Sequence, residues 1–204
     1  MCKQFLLTLM FVVTLIFTNH SNIQAQYHLG VEAGATLSSL YTFQAPSQNL
    51  FSGPVAGARG GLFFEAEVKD FIAIKTGLFG ALKGANLNTG ERWNLVYLTV
   101  PALLVFTPVK PLKLGVGVEF GALVANNFSA SSTDSPFSLG IRGEIAWQIN
   151  PSFRLIGHST VDVNPTSSIF YTNDQGTISS KNSYSNITGG LSLAYTIKTF
   201  DKKG

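Results

Sequence analysis

From Ala56 to Gly84 the chain alternates residue by residue between two kinds of side chain, and it does so twice in succession. Along the first run the even positions Ala56, Ala58, Gly60, Leu62, Phe64, Ala66 and Val68 are apolar or small, and the odd ones include Arg59, Glu65, Glu67 and Lys69. Along the second, Ile72, Ile74, Leu78 and Leu82 oppose Ala73, Lys75, Gly77, Phe79 and Lys83. A period of two sustained this long belongs to a strand whose two faces meet different surroundings, because successive side chains on a strand point to opposite sides. Lys69-Asp70 then forms the turn of a hairpin.

The same pattern recurs along the chain. Further strands are predicted over Tyr27–Leu40, Asn94–Thr107, Leu112–Asn126, Phe137–Ile149, Ser152–Asn164 and Asn186–Lys198. With the two of the hairpin they make eight. The connections alternate in length: Tyr41–Val55, Ala85–Trp93, Asn127–Pro136 and Pro165–Ser185 read as long polar loops, while Lys69-Asp70, Pro108–Pro111 and Asn150-Pro151 are short. An even number of strands sends every long loop to one end, which is the asymmetry of an outer-membrane barrel. The predicted fold is therefore all-β, an eight-stranded antiparallel up-and-down transmembrane barrel over residues 26–204. Pro101 inside an otherwise apolar strand requires a bulge or a place where the partner strand has ended.

Composition agrees with a membrane barrel. Only 12% of the 204 residues are charged and 45% are hydrophobic, where a soluble domain carries about 25% charge. No apolar run beyond the N-terminus is long enough for a helical span, but barrel strands need only about 9 to 11 residues. Residues 1–25, with Lys3 followed by the apolar stretch Phe5–Phe17 and a small residue at Ala25, read as a secretory signal peptide cleaved before Gln26. Cys2 falls within it, so the mature chain offers neither a disulfide nor a thiolate metal site. The small positive net charge gives no reason to expect nucleic acid as a partner.

Which face lies inside follows from the two compositions. One face holds nearly all the strand Leu, Ile and Val; the other mixes glycine, serine and threonine with charges. Such a mixture suits a narrow polar lumen and not a dry ligand core. The lumen set is Glu32, Glu65, Glu67, Glu119, Glu144 and Asp162 with Arg59, Lys75, Lys83, Lys113, Arg142 and Arg154, six acids and six bases, and His158 beside them. Balance in a closed space implies a network of ion pairs, since an unpaired buried charge costs several kcal/mol. Eight strands leave room for side chains only, so the lumen is expected to be plugged. Tyr27, Phe106, Trp147, Phe153 and Tyr195 share the apolar face near the short turns, the depth of an interfacial girdle. An arginine at Ile74 is expected to damage assembly more than an alanine at Lys75.

Catalytic chemistry finds little support. His158 and Ser159 are adjacent on a strand and point to opposite faces, and His158 and Asp162 share a face but lie two pleats apart. His158 reads as a member of the polar network, with no catalytic residue, metal or cofactor expected. Asn173-Asp174-Gln175-Gly176 is a turn signal without the ligand spacing of a calcium loop. Phe170, Tyr171 and Tyr184 on the longest loop are the candidates for binding a partner. The alternatives are a membrane-embedded lipid-modifying enzyme using His158 and a soluble ligand-binding barrel.

The chain resembles the small PorT-like outer-membrane β-barrel proteins. The likeness rests on GVEAGATLSSL from Gly30, GLFFEAEVKDFIAIKTGLFGALKGAN from Gly61, VYLTVPALLVF from Val96, LKLGVGVEFGAL from Leu112, SLGIRGEIAWQINPSFRL from Ser138 and GGLSLAY from Gly189. The Tyr97, Leu98 and Pro101 pattern is its most specific part. Thr99 stands where such proteins often have an acid and Val105 where they often have a base, which implies that one lumen pair is missing. The resemblance implies an outer-membrane location, contact with outer-membrane lipid, insertion by the barrel-assembly machinery, and a structural, binding or secretion-accessory role with secretion or surface partners.

Overall fold

The computed structural model describes residues 26–42, 51–69, 71–88, 90–127, 132–172 and 178–200. The segment read as a signal peptide lies outside them. Eleven strands follow in order: β1 (Gln26–Tyr41), β2 (Phe51–Gly53), β3 (Val55–Lys69), β4 (Ile72–Leu87), β5 (Arg92–Val109), β6 (Leu112–Asn126), β7 (Ser132–Asp134), β8 (Phe137–Gln148), β9 (Phe153–Asp162), β10 (Ser167–Thr172) and β11 (Ile178–Phe200). Eight of them form the ring β1-β3-β4-β5-β6-β8-β9-β11, which closes on itself through antiparallel pairing of β1 with β11 from Tyr27↔Phe200 to Tyr41↔Ser185. Closure removes both sheet edges. The three remaining strands are short and belong to the long-loop end, where β2 pairs with β4 and β10 lies between β11 and β7.

Two of the predicted long loops are corrected. Ala85–Trp93 is mostly strand: β4 runs to Leu87, β5 starts at Arg92, and the turn is closed by Leu87 N–H to Glu91 O (2.8 Å) and Gly90 N–H to Leu87 O (3.0 Å). The asparagines there conceal a continuing alternation, for Ala85, Leu87, Trp93 and Leu95 all face inward and are buried. Pro165–Ser185 likewise carries β10 and the upper part of β11, paired from Ser167↔Tyr184 to Thr172↔Ile178. Tyr184 is therefore not an exposed binding residue. It continues the inward parity of Thr188 and Asn186 and is only 3% exposed. Phe170 and Tyr171 lie on β10, and their side chains are outside the described residues.

Pro101 also departs from expectation. It occupies neither a bulge nor a strand end: β5 is continuous through it, and Pro101 pairs in register with Glu119 of β6. On the β4 side the ladder lacks the rungs between Thr76↔Ala102 and Phe79↔Thr99 without any shift of register. Thr76 Oγ1 donates to Pro101 O at 2.8 Å there, a side-chain bond beside the rung that proline cannot make.

Tight curvature explains some of the inward glycines. A Cβ on Gly117 would run into the Ala102 carbonyl oxygen and Leu103 Cα, and one on Gly61 into Leu78 O and Phe79 Cα. These are backbone atoms of the adjacent strand, which cannot swing aside as a side chain would. In a barrel this narrow the inner faces of adjoining strands converge, and glycine lets them do so.

The outer surface is apolar. Leu62 is 53% exposed, Ile141 57% and Leu191 63%, whereas Lys75 is 2% and Arg142 1% exposed. Outward positions of β6 from Leu114 to Val124 cover about 33 Å of strand, or about 25 Å of height at a tilt near 40°. At the short-turn end aromatic rings pair on this outer face, Tyr27 with Phe64 at 5.7 Å and Phe153 with Tyr195 at 4.9 Å between centroids.

Candidate functional site

Every lumen residue named from the sequence lies on the inward side of its strand, and they meet in a column running up the barrel axis. Nearest the short turns, Glu65 of β3 accepts from Lys113 Nζ (2.6 Å) and from Arg154 Nη1, and Glu67 lies 3.3 Å from the same lysine and 3.4 Å from His28 Nε2. Lys113 and Glu67 are partly exposed here, and the other acids and bases of the column are buried.

At mid-height, Lys75 Nζ sits between Glu144 (2.8 Å) and Glu32 (3.1 Å). Above it Glu119 Oε2 accepts from Arg59 Nη1 at 2.9 Å and Arg142 Nη1 at 3.2 Å. Glu32 Oε1 lies 3.9 Å from both Arg59 Nε and Arg142 Nη2, and Arg142 Nη2 lies 3.7 Å from Glu144. Higher still, Lys83 Nζ bridges Asp162 (3.2 Å) and Glu119 (3.7 Å), and Thr166 Oγ1 donates to Asp162. Partners come from strands far apart in sequence, so each pair staples opposite or neighbouring walls of the ring.

Alternation places Ala73 and Phe79 on the charged face, but the lumen set drawn from it holds only charges and His158 and leaves out an apolar component. Phe63, Phe79, Ala146, Ile156 and Ala194 form one buried cluster, and Ala73, Leu103 and Val105 another. Cations lie over these rings: the Arg59 guanidinium is 4.0 Å from the Phe79 centroid, and Arg154 is 4.9 Å from that of Phe63. Aromatic faces supply part of what a second carboxylate would. Strand parity was the available signal, since Phe63 and Phe79 share the inward register of Arg59 and Lys75. Thr99 and Val105 both face inward as well; Thr99 Oγ1 accepts from Arg59 Nη1 at 3.1 Å, while Val105 packs among apolar neighbours.

The long-loop end of the lumen is closed by apolar packing. Leu40, Ala85, Leu87, Trp93, Leu95, Tyr97 and Tyr184 form a buried cluster there, drawn from β1, β4, β5 and β11. The short-turn end holds a vestibule of about 730 Å³ bordered by His28, Glu67, Lys110, Lys113, Gln148 and Arg154.

His158 is buried, and neither ring nitrogen has a hydrogen-bond partner among the described residues. Ser159 faces outward and is exposed, and Asp162 is engaged by Lys83. Among the described residues no hydroxyl is hydrogen-bonded to His158. Among the described residues no group of three or more His, Cys, Asp and Glu is arranged to hold a metal ion.

No protein-family model matches the chain, and no curated protein matches its sequence. Solved structures do match. The chain is similar to the neisserial surface protein A at 11% identity and a TM-score of 0.52, over 83% of this chain and 97% of that one. It is similar to the outer-membrane protein OprG of Pseudomonas aeruginosa at 12% identity and a TM-score of 0.50, over 87% and 96% of the two chains. At such identities the likeness establishes the shared fold, a small eight-stranded barrel of the outer-membrane kind.

Proposed function

We propose that the protein is an integral outer-membrane barrel with a side-chain-filled lumen and a non-enzymatic role. The observation that carries this reading is its sidedness. A soluble eight-stranded barrel hides its aliphatics and shows its charges to water; here Leu62, Val116, Ile141 and Leu191 are on the outside and Glu32, Lys75, Arg142 and Asp162 within. In water the continuous apolar belt would far exceed the few hundred Å² that soluble monomers tolerate, and its height matches the roughly 25 Å apolar band of outer-membrane barrels. The short turns and both described chain ends then face the periplasm, and the long-loop end faces outward. In cell fractionation the protein is expected in the outer membrane, migrating differently on gels before and after boiling. Recovery in the soluble fraction would sink this reading.

Beyond location, the likeness to PorT-like barrels in the Tyr97, Leu98 and Pro101 pattern supports a binding or secretion-accessory role at the outward end. There β7, β10 and the upper part of β11 build a small sheet above the ring. Trimming residues 169–181 to a tight turn is expected to leave a heat-modifiable barrel while abolishing a secretion or surface-binding phenotype. An unchanged phenotype would leave the barrel a purely structural role.

A further inference from the structure

The two ends of the lumen differ in kind. At the long-loop end Trp93, Leu95 and Tyr97 are wholly buried in the apolar cluster that closes the barrel. At the short-turn end the vestibule of about 730 Å³ opens to water, a size within the roughly 300–1,000 Å³ of small-molecule sites. Among the described residues, the opening toward the lumen lies at the short-turn end.

The charges there do not cancel as they do deeper in the barrel. Glu65 holds both Lys113 and Arg154, and Glu67 takes a second contact from Lys113 and one from His28. Those acids offset Lys113 and Arg154. Lys110, on the exposed turn between β5 and β6, lines the same vestibule and has no ion-pair partner among the described residues. Among the described residues that line the vestibule, one positive charge is left over. Deeper in, Arg154 is 3% exposed yet borders the cavity and commits only Nη1 to Glu65. A guanidinium held this way keeps part of its donor fork for a carboxylate or phosphate. Thr107, Thr196 and Gln148 add neutral polar groups to the wall.

The geometry points to a binding site for a small soluble anion, a carboxylate or phosphate carried by a water-soluble molecule, in the vestibule between Lys110 and Arg154. The site lies inside the ring, on inward positions and turn residues, whereas lipid contacts the opposite face of every strand; the ligand therefore arrives along the barrel axis from water. The inference rests on the fold, and on the outer-membrane reading only for the compartment that supplies the ligand.

The test uses the folded full barrel in a maltoside detergent, titrated calorimetrically with inorganic phosphate and with citrate. Saturable binding is expected, weakening as salt is raised. Lys110→Gln, on an exposed turn where folding is not at stake, should weaken it about fivefold to tenfold. Arg92→Gln, at the opposite rim, should leave it unchanged. Absence of saturable binding at millimolar anion overturns the site, as does equal affinity in Lys110→Gln. Binding to phosphatidylglycerol vesicles with none to phosphate or citrate overturns the soluble ligand. Heat-modifiable mobility of the same sample reports the barrel separately, so a protein that binds phosphate but fractionates elsewhere would refute the location and leave the site standing.

Discussion

Replacing Lys75 with alanine is expected to cost the folded barrel about 3–5 kcal/mol, the range for removing one partner of a buried ion pair. The reason is what stays behind. Lys75 Nζ is 2.8 Å from Glu144 and 3.1 Å from Glu32, both buried, and truncation leaves two carboxylates facing each other across a dehydrated gap. Arg142, 3.7 Å from Glu144 and 3.9 Å from Glu32, offsets part of the loss and pulls the expectation toward the lower end. Urea unfolding in lipid vesicles, followed by tryptophan fluorescence, measures it. Adding Glu144→Gln to Lys75→Ala removes one of the stranded charges and should recover stability instead of subtracting more, the non-additivity of residues that share a network. If Lys75→Ala unfolds at the wild-type urea concentration, the column of ion pairs does not hold the walls together.

That network was only half legible in the sequence. Strand parity alone assigned Glu32, Lys75 and Glu144 to one face, because the direction of a side chain on a strand depends on counting and not on chemistry. Their meeting point was not legible, since Glu32–Lys75 and Lys75–Glu144 join β1 to β4 and β4 to β8, contacts set by the stagger of a closed barrel. Polarity misled where the strands rise past the apolar belt. Asn86, Asn88 and Arg92 look like loop because both faces are polar or wet at that height, yet Leu87 and Trp93 keep the inward rhythm and close the lumen. Tyr184 was misjudged for the same cause: an aromatic in a serine-rich stretch resembles an exposed binding residue until Asn186 and Thr188 are seen to share its parity. Phe63 and Phe79 show the opposite case: parity puts both on the inward face, but an apolar ring on a face defined by its charges carries no sign of a packing role there.

Depth along the belt, which period two does not encode, decides the second large effect. Leu78→Arg is expected to cost about 2–4 kcal/mol, the range for a cation placed on the lipid face near the bilayer midplane, and Ile74→Arg only about 0–1 kcal/mol. Both side chains point outward and are similarly exposed, at 48% and 43%. Leu78 pairs with Leu62 near the middle of β3 and β4, whereas Ile74 pairs with Leu104 and Ala66 beside the short turns. Four residues of tilted strand separate them by about 10 Å of height, enough for an arginine at position 74 to reach the interface with its head group in water. The order expected from alternation alone, with Ile74→Arg more damaging than Lys75→Ala, is thereby reversed: a lipid-facing charge near the rim can escape, and two acids stripped of a buried lysine cannot. Comparing the heat-modifiable fraction of Leu78→Arg and Ile74→Arg after refolding into vesicles checks this directly. Equal losses at the two positions would mean that the belt is not centred on Leu78, and that the membrane crosses the barrel nearer its short-turn end.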